Sequence, residues 1–190
     1  MALEIEIKLK IEHLAPLRDK LREIRAQHIG ERLETNIFFD TPERSLLASD
    51  CGLRLRRQHD LHSKTDKIVI TYKGPRSEGP VKSREEIETR VDDLDAAAQL
   101  LSRLGYQQML SFEKRRESWQ IDRCLVELDT LPELGHFVEI ECPTQSQVMS
   151  VRKKLGLSGV PAITSTYAEL VAHHLSDVAR HETSLSFTGQ

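Results

Sequence analysis

Charged and hydrophobic residues alternate at every second position in several segments of the chain. The first segment places Glu4, Glu6 and Lys8 between aliphatic residues. Because successive side chains of a β-strand point to opposite faces of a sheet, this alternation predicts a strand with one apolar face and one ionic face. The same pattern returns at Arg54 and Arg56, at Glu86 and Glu88, and at Glu139 and Glu141. If these ionic faces converge, they form a highly charged pocket that suits metal ions and phosphates.

The whole pattern predicts a fold that combines strands with helices. Strands are predicted over residues 3–12, 35–39, 53–58, 67–73, 81–91, 106–117, 119–129 and 135–141. Hydrophobic residues at helical spacing predict helices over residues 14–28, 94–104, 145–155 and 165–178, and Gly30 and Gly105 are expected to end the first two. No internal boundary is evident, so a single domain is expected over residues 1–178, followed by a disordered tail over residues 179–190.

Composition and charge restrict the kinds of molecule and surface that the protein is expected to bind. Charged residues make up 30% of the chain, but the net charge is −3, which gives no overall attraction to nucleic acid or to anionic membranes. No apolar segment is long enough to span a bilayer, and no signal peptide is expected. Cys51, Cys124 and Cys142 show neither a disulfide framework nor paired metal-ligand spacing, so a reducing cytoplasm is the predicted location.

Two interpretations of the ionic strands are open at this point. An antiparallel sheet commonly has one solvated face, so a structural protein with ionic strands in water explains any single segment. These strands, however, place a charge at nearly every polar position, where a solvated face would also carry Ser, Thr, Asn and Gln. Enclosed charges of like sign would repel and lose hydration, and a bound ligand would offset part of that cost. The acidic positions are Glu4, Glu6, Glu86, Glu88, Glu127, Asp129, Glu139 and Glu141, and the basic positions are Lys8, Arg54, Arg56, Lys73, Arg84, Lys114 and Arg116.

Divalent cations and phosphates are the ligands that suit this mixture of charges. Mg²⁺ prefers carboxylate oxygens and usually lies between one or two carboxylates and the phosphates of a substrate. Arg and Lys side chains bind phosphate oxygens through charge-assisted hydrogen bonds. The chain has no GxxxxGK(S/T) motif, which excludes a P-loop enzyme. Phosphates would therefore be bound by side chains.

Several of these charged segments form recognisable motifs. The chain opens on an ExExK motif, Glu4-Ile5-Glu6-Ile7-Lys8, which is followed by Phe39-Asp40-Thr41-Pro42, Leu53-Arg54-Leu55-Arg56, Tyr72-Lys73-Gly74-Pro75 and Arg84-Glu85-Glu86-Ile87-Glu88. Lys114 with Arg116, the Leu128-Asp129 step, the segment Gly135-His136-Phe137-Val138-Glu139-Ile140-Glu141 and Tyr167 follow. This series resembles the CYTH superfamily of triphosphate tunnel metalloenzymes, which groups class IV adenylyl cyclases with thiamine triphosphatases.

The resemblance implies an α+β fold, namely an eight-stranded antiparallel β tunnel, a closed barrel, with helices packed outside. It also implies a role for each motif. The metal ligands, for one or two Mg²⁺ or Mn²⁺ ions, would be Glu4, Glu6, Glu139 and Glu141. The triphosphate would be bound by Lys8, Arg54, Arg56, Lys73, Arg84, Lys114 and Arg116, with Tyr167 as a further contact. Glu86 and Glu88 would either orient these cations or complete a second metal shell. Asp129 would lie near the reacting phosphorus or hydroxyl, so that Asp129, Lys114 and Arg116 form the catalytic group.

The resemblance favours an enzyme over the other classes of protein. The first hypothesis is a class IV adenylyl cyclase that converts ATP to cyclic AMP and pyrophosphate. The alternative is a triphosphatase that hydrolyses inorganic triphosphate, thiamine triphosphate or a nucleoside triphosphate, because one charged face serves both reactions. A third hypothesis is a non-catalytic protein that binds an organophosphate. The expected partner is a small triphosphate rather than nucleic acid or a membrane, and the oligomeric state stays open, with a homodimer as one option.

Overall fold

The computed structural model describes residues 5–75, 85–177 and 183–187. Within these ranges the chain forms ten strands and five helices. In chain order they are β1 (Ile5–Ile11), α1 (Ala15–Glu23), β2 (Gln27–Asp40), α2 (Ser45–Ala48), β3 (Gly52–Asp60), β4 (Asp66–Lys73), β5 (Glu86–Val91), α3 (Leu94–Arg103), β6 (Gln107–Ile121), β7 (Cys124–Leu131), β8 (Gly135–Cys142), α4 (Gln145–Lys154), β9 (Ala162–Ile163), α5 (Tyr167–Asp177) and β10 (Ser184–Leu185).

The predicted fold class, α+β on an antiparallel sheet, is confirmed. Strands β1 to β8 are all six residues or longer and agree with the eight predicted strands in the described part of the chain, whereas β9 and β10 have two residues each. Residues 3–4 and 81–84 of the predicted strands lie outside the described residues. Strand β1 pairs antiparallel with β8, β8 with β7, and β7 with β6. Strand β4 pairs antiparallel with both β3 and β5. Closure of the sheet into a tunnel stays a prediction.

The chain divides into two compact units. Unit 1 comprises Met1–Arg32 and Lys114–Leu170, and unit 2 comprises Leu33–Glu113 and Val171–Gln190. In unit 1 the strand order is β6-β7-β8-β1-β9, and in unit 2 it is β5-β4-β3-β2. Strands β2 and β6 contribute residues to both units. The expectation of a single domain over residues 1–178 stays a prediction.

The core of unit 1 lies on the apolar face of its strands. Leu9, Val126 and Ile140 alternate with ionic residues along β1, β7 and β8, and all three are fully buried. Helices α1 and α4 cover them with Leu21 and Val151. Burying each such side chain contributes roughly 1.5–3 kcal/mol of hydrophobic stabilisation. Because the helices cover the apolar side, the ionic side chains of the same strands lie together on the other face.

Unit 2 also has a hydrophobic core on one face of its strands and ionic side chains on the other face. Phe39, Leu53 and Leu55 of β2 and β3 pack with Ala97 and Leu101 of α3. The side chain of the residue that precedes α3 accepts a hydrogen bond from the first-turn backbone, which fixes where this helix begins. The ionic residues of β3 again lie on the face away from this core.

Two predicted boundaries were wrong. Helix α1 ends at Glu23 rather than at residue 28, because Arg25 has a φ of 56° and the chain leaves the helix there. Gly30 does not end the helix and lies inside β2. Strand β6 continues through Ser118, where a break was predicted, and the turn to β7 is made at Asp122 with a φ of 53°. Hydrophobic spacing alone located neither turn.

The expectation that the cysteines form no disulfide is also wrong. Cys124 and Cys142 are joined by a disulfide, with their Cα atoms 4.4 Å apart. They are 18 residues apart in sequence, but the β7–β8 register pairs Leu125 with Glu141 and therefore places the two cysteines opposite each other. Disulfides are uncommon in reducing compartments, and the cytoplasmic location stays a prediction.

We expect one reactive thiol in the oxidised, denatured protein and three after reduction. The single thiol before reduction belongs to Cys51, the free cysteine of the chain. A thiol-reactive dye in denaturant measures this count, and Cys51→Ser is the control, with no reactive thiol before reduction. A count of three before reduction contradicts the disulfide.

Part of the predicted disordered tail is ordered. Ser184–Leu185 forms β10 and pairs parallel with Ser111 and Phe112 of β6. Leu185 is only 2% exposed, so burial of its side chain explains why this segment is held. None of the helices in the described part of the chain is both long and apolar enough to cross a membrane.

Candidate functional site

The second face of the unit 1 strands carries a dense group of charged side chains, here called the unit 1 ionic face. Its members are Glu6 and Lys8 of β1, Lys114 and Arg116 of β6, Glu127 and Asp129 of β7, and Glu139 and Glu141 of β8. The strand register brings them together, because Lys8 lies opposite Glu139 and Arg116 lies opposite Asp129. The predicted convergence of charged side chains is therefore observed for these residues of unit 1.

Arg116 is the centre of the unit 1 ionic face. Its Nε and Nη2 atoms donate to the two carboxylate oxygens of Asp129 over 2.6 Å and 2.5 Å. Its guanidinium also contacts Glu127 and Glu139, so three carboxylates surround one cation. Glu127 and Glu139 lie directly opposite each other in the register, where two like charges destabilise a sheet. The charge of Arg116 between them offsets that repulsion.

Asp129 is completely buried, and both oxygens of its carboxylate are bonded to neighbouring side chains. Besides Arg116, its carboxylate accepts a hydrogen bond from the Tyr167 hydroxyl over 2.7 Å and lies 3.4 Å from Lys114 Nζ. Burial alone would raise the pKa of Asp129, but the charges of Arg116 and Lys114 outweigh it and lower the pKa to about 2. A carboxylate with so low a pKa is a poor proton acceptor at neutral pH.

We expect Asp129 to make stability fall at acid pH. Its folded pKa lies below that of an unfolded carboxyl, so the charged form contributes stability above about pH 4, and this contribution, about 2 kcal/mol, is lost as the pH falls towards 2. Urea unfolding of the wild type and of Asp129→Asn from pH 5 to pH 2 measures it. The variant should lose less stability than the wild type over this range, and parallel curves would contradict the assignment.

Tyr167 lies between the two lysines of the unit 1 ionic face. The Nζ atoms of Lys8 and Lys114 lie 4.1 Å and 4.7 Å from the centroid of its ring, within the range of cation–π attraction. Burial, and then the nearby charge of Asp129, raise the pKa of Tyr167, so its hydroxyl stays protonated and donates. Lys8 also contacts Glu139 at 3.3 Å. Tyr167 therefore holds the cations and Asp129 together, and its direct contact with a substrate stays a prediction.

The predicted metal ligands are only partly described. Glu4 lies outside the described residues. Glu6 and Glu141 lie opposite each other in the β1–β8 register, whereas Glu139 contacts Lys8 and Arg116. Among the residues that the structure describes, no three His, Cys, Asp or Glu side chains are arranged as a metal site. Two opposed carboxylates nevertheless have the hard oxygen donors that Mg²⁺ takes when water and phosphates complete its shell.

Unit 2 has its own ionic face, formed by the predicted residues of β3, β4 and β5. Lys73 contacts Glu86 at 2.5 Å, directly across the β4–β5 register. Arg54 donates to the hydroxyl of Thr71 over 3.2 Å, and that hydroxyl lies 3.3 Å from Glu88. The structure thus brings Lys73 into direct contact with Glu86 and connects Arg54 to Glu88 through the hydroxyl of Thr71. Arg84 lies outside the described residues.

The charge on Arg54 is held in a partly desolvated position. Burial, and then the charge of Arg56 two residues away, lower the pKa of Arg54 to about 10. The guanidinium is still protonated at neutral pH. Two neighbouring cations that repel each other are stabilised by an anion, so this part of unit 2 is suited to a negatively charged ligand.

Sequence reasoning missed two residues that contact Arg56. Asn36 accepts a hydrogen bond from Arg56 Nε over 2.6 Å, and the carboxylate of Glu34 lies 3.5 Å from Arg56 Nη1. Both belong to β2, whose polar positions alternate at Arg32, Glu34 and Asn36. That signal was present, but the first helix was predicted to run too far and the strand was started at Thr35, which left Glu34 outside it. The same error hid Arg32, which contacts Glu127 at 3.0 Å in unit 1. Asn36 lay inside the predicted strand and was not singled out as a site residue.

The Phe39-Asp40-Thr41-Pro42 turn has a structural explanation. The carboxylate of Asp40 accepts hydrogen bonds from the backbone N–H groups of Thr41, Leu46 and Leu47, over 2.7–3.0 Å. These bonds fix the end of β2 against the start of the short helix α2. Asp40 therefore stabilises the turn rather than contributing to an ionic face.

Comparison with protein families gives a match over most of the chain. The CYTH domain family matches residues 2–167. The chain is 27% identical over 183 residues to adenylate cyclase CyaB of Aeromonas hydrophila, and this match covers 91% of each protein. It is 26% identical over 179 residues to the thiamine-triphosphatase of Homo sapiens, with 80% of this chain and 78% of that protein covered.

Comparison with solved structures gives a match of similar extent. The PH1819 protein of Pyrococcus horikoshii OT3 superposes with a TM-score of 0.74 at 28% sequence identity. That match covers 90% of this chain and 99% of the other. The similarity extends through both units, since β1 to β8 lie within the region that the family matches.

Proposed function

Because this chain belongs to the CYTH domain family, we propose that it is a divalent-metal-dependent enzyme that acts on a small triphosphate. Its first candidate reaction is that of a class IV adenylyl cyclase, the conversion of ATP to cyclic AMP and pyrophosphate. The adenylate cyclase of Aeromonas hydrophila, which aligns with 91% of this chain, supports this choice. Mg²⁺ or Mn²⁺ is the proposed cation.

The observation that carries the proposal is the make-up of the unit 1 ionic face. Three cations, Lys8, Lys114 and Arg116, share one face with five carboxylates. Lys8, Lys114, Arg116, Glu127 and Asp129 of this face are buried. Burying such charges is costly unless each is matched, and a structural sheet would be as stable with apolar residues. A divalent cation near Glu6 and Glu141, whose positions are opposed in the β1–β8 register, would suit these carboxylates. Phosphates would then be bound by the basic side chains of this face.

Each group of residues has a proposed task in the reaction. Glu6 and Glu141 would hold the cation, which when bound neutralises charge on the triphosphate. Lys8 and Arg116 would bind phosphate oxygens and stabilise the charge that develops on the leaving pyrophosphate. Asp129 would position Arg116 and Lys114, because its oxygens bind them and its low pKa makes it a poor base. We therefore propose a positioning role for Asp129 and no role as the general base.

The cyclase step can be written as one displacement at phosphorus. The 3′-oxygen of the ribose attacks the α-phosphorus, the bond from that phosphorus to the bridging oxygen breaks, and pyrophosphate leaves with its electron pair. The proton of the 3′-hydroxyl passes to solvent. In the second candidate reaction, water replaces the hydroxyl and the products are those of hydrolysis. The similarity to human thiamine-triphosphatase favours keeping this second candidate.

Product analysis tests the proposal and separates the two reactions. The protein is incubated with ATP, inorganic triphosphate or thiamine triphosphate, each with Mg²⁺ or Mn²⁺, and the products are resolved by chromatography. Cyclic AMP with pyrophosphate identifies the cyclase, whereas orthophosphate identifies the hydrolase. EDTA should abolish either reaction. Binding of the triphosphates without any turnover would leave the non-catalytic hypothesis, and neither binding nor turnover would overturn the proposal.

A further inference from the structure

Asn36 and Glu34 contact Arg56 in unit 2, and neither has yet been given a role in ligand binding or catalysis. Both side chains are 0% exposed, and both belong to the polar face of β2. Asn36 Oδ1 accepts from Arg56 Nε over 2.6 Å, and Glu34 Oε2 lies 3.5 Å from Arg56 Nη1. Gln58 Nε2 donates to the other oxygen of Glu34 over 3.3 Å. Arg56 is thus contacted at two of its nitrogens by buried side chains of one strand.

The orientation of the Asn36 amide follows from this contact. A guanidinium only donates hydrogen bonds, so the amide oxygen must face Arg56 and the amide nitrogen must face away. Within the described ranges, Asn36 Nδ2 is buried and has no hydrogen-bond partner. A buried polar group without a partner is destabilising, so a purely structural residue at this position would be better apolar. The hydrogen bond to Arg56 therefore explains why this position holds an asparagine.

An Arg56 side chain that is held in position before the ligand arrives should bind that ligand more tightly. A free Arg side chain loses much rotamer freedom when it binds a ligand, and a side chain already held in place loses less. Glu34 and Asn36 meet the guanidinium from the β2 side, which fixes its plane. Arg54, two residues away, carries a second guanidinium cation. An anion is therefore the ligand that suits both guanidinium groups.

We propose that Asn36, together with Glu34, is a positioning residue that holds the Arg56 guanidinium for binding a phosphate oxyanion of the triphosphate. This inference rests on the proposed function, since it assumes that the ligand is a triphosphate. Asn36 and Glu34 act through Arg56 and do not touch the ligand themselves.

A double-mutant cycle tests whether Asn36 acts through Arg56. The probe is imidotriphosphate with Mg²⁺, which carries the triphosphate shared by all candidate substrates and resists hydrolysis, and calorimetry gives its dissociation constant. We expect Asn36→Leu to weaken binding about 10-fold, and Arg56→Ala to weaken it at least as much. In the Arg56→Ala background, Asn36→Leu should change the dissociation constant less than twofold.

Thr35→Val is the matched control for this cycle. Thr35 is the neighbour of Asn36 on β2, its side chain points to the opposite face, and its hydroxyl is also buried without a hydrogen-bond partner in the described part of the chain. Thr35→Val should leave the dissociation constant within twofold of the wild type. If Asn36→Leu binds as tightly as the wild type, or weakens binding equally with and without Arg56, the positioning role is overturned.

A measurement on the wild-type protein tests the inference even if Asn36→Leu fails to fold. Asn36 is the only asparagine in the chain, so labelling with ¹⁵N-asparagine gives one pair of side-chain amide resonances. Saturation with imidotriphosphate and Mg²⁺ should shift this pair in the wild type and leave it unmoved in Arg56→Ala. An unmoved pair in the saturated wild type overturns the inference while the proposed function stands. A wild type that neither binds the probe nor turns over any triphosphate overturns both.

Discussion

Arg116→Met should lower the free energy of unfolding by about 3–5 kcal/mol, the largest loss of stability expected from a single substitution in this protein. Arg116 is 7% exposed and bonds to both oxygens of the fully buried Asp129, and it also contacts Glu127 and Glu139. Removing the cation leaves buried carboxylates without a counter-charge, which costs far more than the lost contact. Urea unfolding at pH 7 gives the difference, provided that the slope of the transition is compared as well as its midpoint.

Arg115→Met is the control for this experiment. Arg115 is the neighbour of Arg116 on β6, but its side chain is 43% exposed and lies 3.9 Å from a partly exposed Glu31. Exposed ion pairs contribute at most about 1 kcal/mol, so Arg115→Met should cost no more than that. Similar losses in the two variants, or a loss below about 1 kcal/mol for Arg116→Met, would refute the central role of Arg116.

Glu6→Gln should reduce turnover by at least about 100-fold at a fixed concentration of Mg²⁺, with little change in stability. Glu6 is exposed and lies opposite Glu141 in the β1–β8 register, where we propose that the two carboxylates hold the cation. The amide keeps the size of the side chain but loses the charge that attracts the metal. The measurement is the initial rate as a function of Mg²⁺ and Mn²⁺ concentration, with the triphosphate that the wild type turns over. Half-maximal activity of the variant should require much more metal.

Glu12→Gln tests whether any lost carboxylate at this strand has the same effect. Glu12 directly follows β1 and is exposed, and it belongs to neither the predicted nor the observed ionic face. Its variant should keep wild-type turnover and the wild-type metal requirement. If Glu6→Gln behaves like Glu12→Gln, the cation is held elsewhere and the metal assignment fails.

The strands were predictable from the sequence because their signal is local. Alternation at Glu6 and Lys8, or at Glu139 and Glu141, depends only on neighbouring residues, and each of these segments is a strand in the structure. The place of Glu34 on a strand depended on where the first helix ends, whereas Asn36 already lay inside the strand predicted over residues 35–39. That boundary is set by a backbone turn with a positive φ at Arg25, which hydrophobic spacing does not reveal.

The role of Asp129 shows what a motif leaves undecided. The resemblance to the CYTH superfamily implied that it is a group near the reacting atoms. The structure surrounds it with Arg116, Lys114 and Tyr167, and their bonds occupy both of its oxygens and lower its pKa to about 2. Tyr167 is 38 residues from Asp129 in sequence, so no local pattern could have paired them.

The sequence by itself determined which side chains share a face of each strand, and hence that charge collects on one side of the sheet and apolar residues on the other. The tertiary structure alone decided which of those charges meet. Strand register placed Arg116 among three carboxylates and Cys124 opposite Cys142, and the position of β2 beside β3 brought Asn36 to Arg56. The physical reason is that alternation is a property of one extended chain, whereas ion pairs and hydrogen bonds form between atoms a few ångströms apart, and only the folded chain brings distant residues to that separation.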